Sequence, residues 1–218
     1  DGKPIHEVLI QEGIRDTALE GEIKKRRIPV KVLGRKKMDQ LLNGNHQGIA
    51  ACIDDYKTWE LEELLESIPQ GKQPLLVMLD GLEDPHNLGA ILRTCDCIRA
   101  DGVIIGKHRN VRLTPTVAKV STGAIDTVKV SVVTNLVQAI KYLKKQGYWV
   151  VGTDFENSRD YREGQYDVPL VLVIGSEGFG ISSLVKKNCD YCVRLPMEGS
   201  VSSLNASVAT GILLYQIH

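Results

Sequence analysis

Leu170-Val171-Leu172-Val173-Ile174-Gly175-Ser176-Glu177-Gly178-Phe179-Gly180 sets five consecutive aliphatic residues before a glycine-rich turn. A strand that is apolar at every position cannot turn one face to water, so it must be covered on both sides. Residues 75–79 are likewise fully apolar, and residues 103–105, 128–133, 148–151 and 191–195 are further strand candidates. Residues 87–99 and 136–145 lie between such runs and have helical spacing. Apolar strands alternating with helices predict an α/β fold, a mostly parallel sheet with helices on both faces. Residues 204–217 read as a final helix, apolar nearly all round, to be buried in a core or against a partner subunit.

The chain upstream is organised differently. Over residues 5–53 short apolar runs alternate with helix-compatible segments such as 16–26, which predicts a small α/β domain. Residues 61–68 read as an acidic amphipathic helix. Pro69-Gln70-Gly71-Lys72-Gln73-Pro74 contains no apolar side chain and is punctuated by Pro and Gly, the marks of a linker. The expected division is therefore 1–68, a linker at 69–74, and 75–218.

Composition excludes several classes. Of 218 residues, 43% are hydrophobic and 25% charged, the profile of a globular protein. The longest apolar runs are too short to cross a bilayer, and Asp1-Gly2-Lys3-Pro4 does not open a signal peptide. Five cysteines, an odd number, suit reduced thiols in a cytoplasm better than a disulfide framework. Lys plus Arg balances Asp plus Glu at 27 each, so only charge distribution is informative. Lys24-Lys25-Arg26-Arg27 and Arg35-Lys36-Lys37 are basic, whereas residues 54–66 are acidic. The basic segments are either a phosphate footprint or a solvated helix face.

Three segments concentrate unusual residues. In the first, Asp84-Pro85-His86-Asn87-Leu88-Gly89-Ala90-Ile91-Leu92-Arg93, a capping carboxylate precedes proline at the first helical position. Leu88, Ile91, Leu92 and Cys95 form its buried stripe, and Asn87 and Arg93 fall outside that stripe. The second is the turn from Gly175 to Gly180, whose G-x-x-G-x-G spacing is neither a dinucleotide fingerprint nor a phosphate-binding P-loop. Glu177 within it can anchor backbone or a ligand. The third, Arg194-Leu195-Pro196-Met197-Glu198-Gly199-Ser200-Val201-Ser202-Ser203-Leu204-Asn205, joins a strand to the last helix. Ser203 is a candidate cap there, and Asn205, in the helix's first turn, needs a polar partner. Cys189 and Cys192 make a single C-x-x-C with no second pair, which is weak support for a metal.

Together, and in this order, the three segments resemble the signature motifs of the SpoU-type RNA 2′-O-ribose methyltransferases of the SPOUT superfamily. The likeness runs from about residue 75 to the end. Upstream, His46-Gln47-Gly48-Ile49-Ala50-Ala51 resembles members carrying an N-terminal RNA-binding domain, in particular those modifying a guanosine of bacterial 23S rRNA. Such members begin with a further strand and helix before a segment like Gly2-Lys3-Pro4-Ile5, so this domain reads as truncated at its start.

The resemblance implies S-adenosyl-L-methionine as cofactor, held in a C-terminal trefoil knot, with Gly175, Leu195, Leu204, Met197 and Thr153 as binding positions. It gives Arg93 the central catalytic role, with Asn87, Glu177, Ser203 and Asn205 orienting it or shaping the site. A guanidinium stays protonated in proteins, which favours an electrostatic anchor over a base, though sequence leaves both open. The resemblance further implies a homodimer acting on ribosomal RNA, while the cysteine and histidine spacing gives no reason to expect a metal. The alternatives are a tRNA ribose methyltransferase and a catalytically idle RNA-binding or assembly factor.

Overall fold

The computed structural model of the chain describes residues 4–42, 46–176 and 178–218. Contacts divide the chain into two compact units, residues 1–55 and 56–218.

The smaller unit runs β1 (Ile5–Gln11), α1 (Thr17–Lys25), β2 (Val30–Leu33), α2 (Arg35–Leu41) and β3 (Ile49–Ile53). Its sheet has the order β2-β1-β3, with β1 parallel to β2 and antiparallel to β3. Asp16 caps α1 by accepting from the backbone N–H groups of Ala18 and Leu19. Leu9, Leu33 and Met38 form its small core.

The larger unit contains α3 (Leu61–Glu66), β4 (Leu75–Asp80), α4 (Pro85–Cys97), β5 (Gly102–Gly106), α5 (Pro115–Ser121), α6 (Ala124–Thr127) and β6 (Val130–Val133). It continues with α7 (Leu136–Lys145), β7 (Trp149–Thr153), β8 (Arg159–Asp160), β9 (Leu170–Gly175), α8 (Ser183–Asn188), β10 (Tyr191–Arg194) and α9 (Ala206–Ile217). Among the described residues its strands form one sheet, β6-β5-β4-β9-β7-β10-β8, in which every pair is parallel. Successive side chains of a strand point to opposite faces, and the two cores follow that alternation. Val77 and Leu79 of β4 join the core that packs α4, α6 and α9. Leu76 and Met78 join the one that packs α3, α7 and α8. The predicted doubly covered parallel sheet is what forms.

Several expectations need correction. Residues 56–68 pack with the larger unit, although sequence punctuation set the boundary at 68. The amphipathic α3 needs a core for Leu61 and Leu64 and finds it on the α7 side of the sheet. Trp59 also donates its backbone N–H to the Val130 carbonyl. Residues 69–74 form a turn tied into that unit: the Lys72 ammonium meets the Asp101 carboxylate at 2.7 Å, and the Gln73 amide donates to the Tyr166 carbonyl.

The last helix begins at Ala206, and its cap is Asn205, whose side chain accepts from the N–H groups of Ser207 and Val208. Ser203 therefore does not cap it. Asn87, expected beside the buried stripe of α4, is itself buried. Tyr148 is buried, whereas Trp149 beside it is 41% exposed. A strand turns successive side chains to opposite faces, so only one of them can enter a given core. Within this chain the last helix is half covered: Ala206, Thr210, Leu213 and Leu214 are buried, while Val208, Ile212 and Tyr215 face outward.

Candidate active site

Because all strands of the large sheet run the same way, their carboxyl ends share one rim, where ligands bind in such folds. Three neighbouring ends, those of β9, β7 and β10, enclose a cavity of about 940 Å³ with the loop 195–204 and the inner face of α9. That is ample for a cofactor-sized molecule, whose pockets span about 300–1,000 Å³.

The turn after β9 explains its glycines. A Cβ on Gly175 would lie 2.0 Å from the Gly180 carbonyl carbon, because the backbone folds back on itself there. Ser176 and Gly180 bond each other through both backbone groups, at 2.9 and 3.2 Å, and Gly180 has a φ of 63°. Glycine tolerates both demands. The carboxylate of Asp80, ending β4, accepts from the Ser182 N–H at 2.7 Å and ties this turn to the neighbouring strand.

All five expected cofactor positions, Thr153, Gly175, Leu195, Met197 and Leu204, line the cavity, and so does Ser203. The Thr153 hydroxyl already donates to the Val173 carbonyl at 3.1 Å, so it fixes the β7–β9 seam. Asn87 and Asn205 come together: the Asn205 amide donates to the Asn87 side-chain oxygen at 2.8 Å. The bond joins the start of α4 to the start of α9 beside the cavity wall. Arg93, one and a half turns further along α4, is exposed and is not part of that wall. Glu177 lies outside the described residues.

Sequence reasoning missed several wall residues. The only two phenylalanines of the chain, Phe155 and Phe179, both line this cavity, and Phe179 is 95% exposed. An isolated aromatic in the loop after an apolar strand was the signal that could have found them. Asp154 was also missed; its carboxylate pairs with Lys186 at 2.6 Å and accepts from the Glu156 N–H. Arg194, on the same rim, donates to the Ser158 carbonyl. Apolar walls, a glycine turn with close backbone and one anchored carboxylate suit a molecule that is aromatic at one end and zwitterionic at the other.

Among the described residues no group of three or more His, Cys, Asp or Glu could hold a metal. Cys189 and Cys192 touch each other beneath Gly152, where a Cβ would lie 2.9 and 3.0 Å from the two sulfurs. The hydrogen bond between them pushes the Cys189 thiol up and pulls the Cys192 thiol down. No helix among the described residues is long and apolar enough to cross a membrane.

Residues 74–215 match the SpoU rRNA methylase family, and residues 1–59 match the RNA 2′-O ribose methyltransferase substrate-binding domain. A Staphylococcus haemolyticus protein named for the TrmH family of tRNA/rRNA methyltransferases is 48% identical, covering 100% of this chain and 89% of its own. A Bacillus subtilis relative named for the same family is 48% identical over 89% of this chain and 79% of its own. Among solved structures, the SpoU methyltransferase AviRb of Streptomyces viridochromogenes, in complex with AdoMet, is 25% identical with a TM-score of 0.71. It covers 99% of this chain and 83% of that one. An A. aeolicus TrmH/SpoU tRNA modifying enzyme is 32% identical with a TM-score of 0.62, covering 72% of this chain and 80% of that one. By family and fold the chain is an S-adenosylmethionine-dependent RNA methyltransferase. The chain belongs to the SpoU rRNA methylase family.

Proposed function

We propose that this enzyme methylates a ribose 2′-hydroxyl of ribosomal RNA, with a guanosine of 23S rRNA as the target, and works in the cytoplasm as a homodimer. The observation that carries the reading is the cavity at the ends of β7, β9 and β10. The five positions implied by the family resemblance, Thr153, Gly175, Leu195, Met197 and Leu204, all line it. We read the segment that forms it as a trefoil knot, in keeping with the insertion of β9 between β4 and β7.

The bound cofactor supplies a methyl group on a sulfonium, an electrophile for in-line attack by an alcohol. The protein's part is to align the hydroxyl, exclude water and stabilise the oxygen as it loses its proton. Apolar residues Leu195, Met197 and Leu204 exclude water from the cavity. Arg93 supplies a fixed positive charge for a neighbouring phosphate and the developing oxyanion. Asn87 and Asn205 fix the start of α4, the helix that carries it, and Ser203 and Glu177 shape the site. Arg93 lies outside the cavity wall of its own chain, which favours a site completed where two copies meet. The exposed stripe of α9 is the face for that contact.

The substrate-binding match over residues 1–59 supports an RNA-binding role for the smaller unit, with Lys24 to Arg27 and Arg35 to Lys37 as its basic segments. Ribosomal RNA is favoured over tRNA because the neighbours spanning 99% of this chain include an AdoMet-bound rRNA methyltransferase of Sinorhizobium meliloti. The tRNA-modifying neighbour covers less of the chain. The test is methyl transfer to 23S rRNA and to tRNA, followed by mapping of the modified nucleotide. A product confined to tRNA would overturn the ribosomal reading, and cofactor binding without any transfer would overturn the enzymatic one.

A further inference from the structure

We propose that the loop of residues 107–112 grips the phosphate backbone of the RNA strand beside the target ribose, an RNA contact made by the methyltransferase unit itself. The proposal rests on the ribose methyltransferase reading above.

The loop reads Lys107-His108-Arg109-Asn110-Val111-Arg112, three full cations and a histidine with no carboxylate. Lys107, His108, Arg109 and Arg112 are all exposed. Among the described residues none of the three cations forms an ion pair. Positive charge held together without neutralisation is the electrostatic footprint of a polyanion partner.

The loop is also built rather than slack. The Lys107 N–H donates to the Val133 carbonyl at 2.8 Å, and the Val111 N–H donates to the Leu82 carbonyl at 2.7 Å. The Asn110 side chain accepts from the Leu82 N–H at 2.9 Å. A Cβ on Gly106 would lie 2.9 Å from the Asn110 amide nitrogen, so the strand end is cut to admit this staple. At the tip Arg109 holds a φ of 57°. Left-handed backbone is unfavourable for a non-glycine residue, a cost that glycine would avoid. An arginine kept in that conformation points to a use for its charge.

Position supplies the link to the reaction. The loop leaves the carboxyl end of β5, beside the end of β4 that leads into Asp84, Asn87 and Arg93. Two strand spacings separate β5 from β9, roughly 10 Å along the rim that holds the cavity. A strand of RNA presenting its ribose at the cavity mouth would carry its adjacent phosphates over this loop. Such contacts set register and carry no sequence information.

The experiment compares the wild-type chain with a Lys107→Gln, Arg109→Gln, Arg112→Gln variant. Binding to an rRNA fragment is measured against salt, alongside steady-state methyl transfer. Each lost phosphate contact removes about 0.7–0.9 from the slope of log affinity against log salt, so the triple variant should lose about 2. KM for RNA should rise roughly tenfold, with kcat at saturating RNA and cofactor affinity by calorimetry kept within about twofold. Arg109→Gly separates charge from fold. It should melt no lower than wild type yet lose about one contact from the slope. Wild-type salt slope and KM in the triple variant would overturn the proposal. A wild-type chain that binds this RNA but methylates nothing would sink the reaction reading instead, and the salt slope would still judge the loop.

Discussion

The Asn205 amide donates to the buried Asn87 side-chain oxygen at 2.8 Å, a bond between residues 118 apart that joins the first helix of the motif set to the cap of the last. The same Asn205 oxygen caps α9. Asn205→Ala removes the cap, worth about 1 kcal/mol, and strips a partner from a buried amide, worth about 1–3 more. At roughly 2–4 °C per kcal/mol for a chain this size, thermal melting should fall by about 5–10 °C. Asn205→Asp keeps the cap but not the donor and should fall between. A melting curve unchanged by Asn205→Ala would show that the bond contributes nothing.

Gly175→Ala puts a methyl where the Gly180 carbonyl carbon already lies, at 2.0 Å. The turn must open, and the doubly bonded Ser176–Gly180 bridge must break. Since this turn walls the cavity, cofactor affinity should fall by at least about tenfold, some 1.4 kcal/mol, by calorimetry. Gly178→Ala, at a glycine whose added Cβ meets nothing within 4 Å, is the control and should keep affinity. Equal affinities in the two variants would remove the turn from the binding site.

Much of this was legible in the sequence because it depends on periodicity. The strands appear as uninterrupted aliphatic runs, α4 as an i, i+3, i+4, i+7 stripe behind a capping Asp84, and the cavity loops as Gly- and Ser-rich segments after strand ends. What escaped depends on long-range packing. Proline and glycine at 69–74 look the same in a linker as in a turn tied to Asp101 and Tyr166. The cap at Asn205 competed with Ser203 two residues earlier, and both types cap equally well in isolation. Asn87 is buried because α9 covers the start of α4, which no local pattern reveals. Phe155 and Phe179 stand alone in the sequence and converge only when β7 and β9 pair.

Alkaline pH should destabilise the fold before it alters the chemistry. Burial pushes the Cys95 thiol up to about 12 from its ordinary 9.0, and burial also raises Tyr148 and Tyr166 to about 12 from 10.0. These groups stay protonated in the folded chain while the unfolded chain gives up their protons. Their stabilisation is complete below about pH 9, and it is lost as pH rises from there towards 12. Each group that titrates only on unfolding removes up to about 1.4 kcal/mol per pH unit in that window. Urea midpoints should therefore decline steeply above pH 9, and Cys95→Ser or Tyr148→Phe should flatten the decline. A midpoint level from pH 8 to 11 would contradict the burial argument.

Arg93→Ala removes an exposed cation that is not part of the cavity wall. Cofactor affinity should stay within a few-fold, and stability should change by less than about 0.5 kcal/mol, as for most surface substitutions. Methyl transfer should fall by about 10²–10³, the usual loss when a charge aimed at a developing oxyanion is deleted. Arg93→Lys keeps the charge without the forked geometry and should recover only part of the rate. Retained activity in Arg93→Ala with a correct fold would end its catalytic assignment.

The outward stripe of α9 carries the last prediction. Val208, Ile212 and Tyr215, spaced i, i+4 and i+7, lie on one side of a helix whose other side is sunk in the core. A stable dimer buries about 1,200–2,000 Å² in total, and a helix face of large apolar residues is the kind of surface that supplies its centre. Ile212→Glu sets a charge on that stripe without touching Leu213 or Leu214, so the single chain should fold. Light scattering at micromolar concentration should give a dimer for wild type and a monomer for the variant. Wild-type melting, but not the variant's, should rise with protein concentration. If Arg93 works where two copies meet, the Ile212→Glu monomer should also lose methyl transfer while a melting transition persists. A wild-type monomer in solution would dismiss the dimer and leave Arg93 to reach the cavity within its own chain.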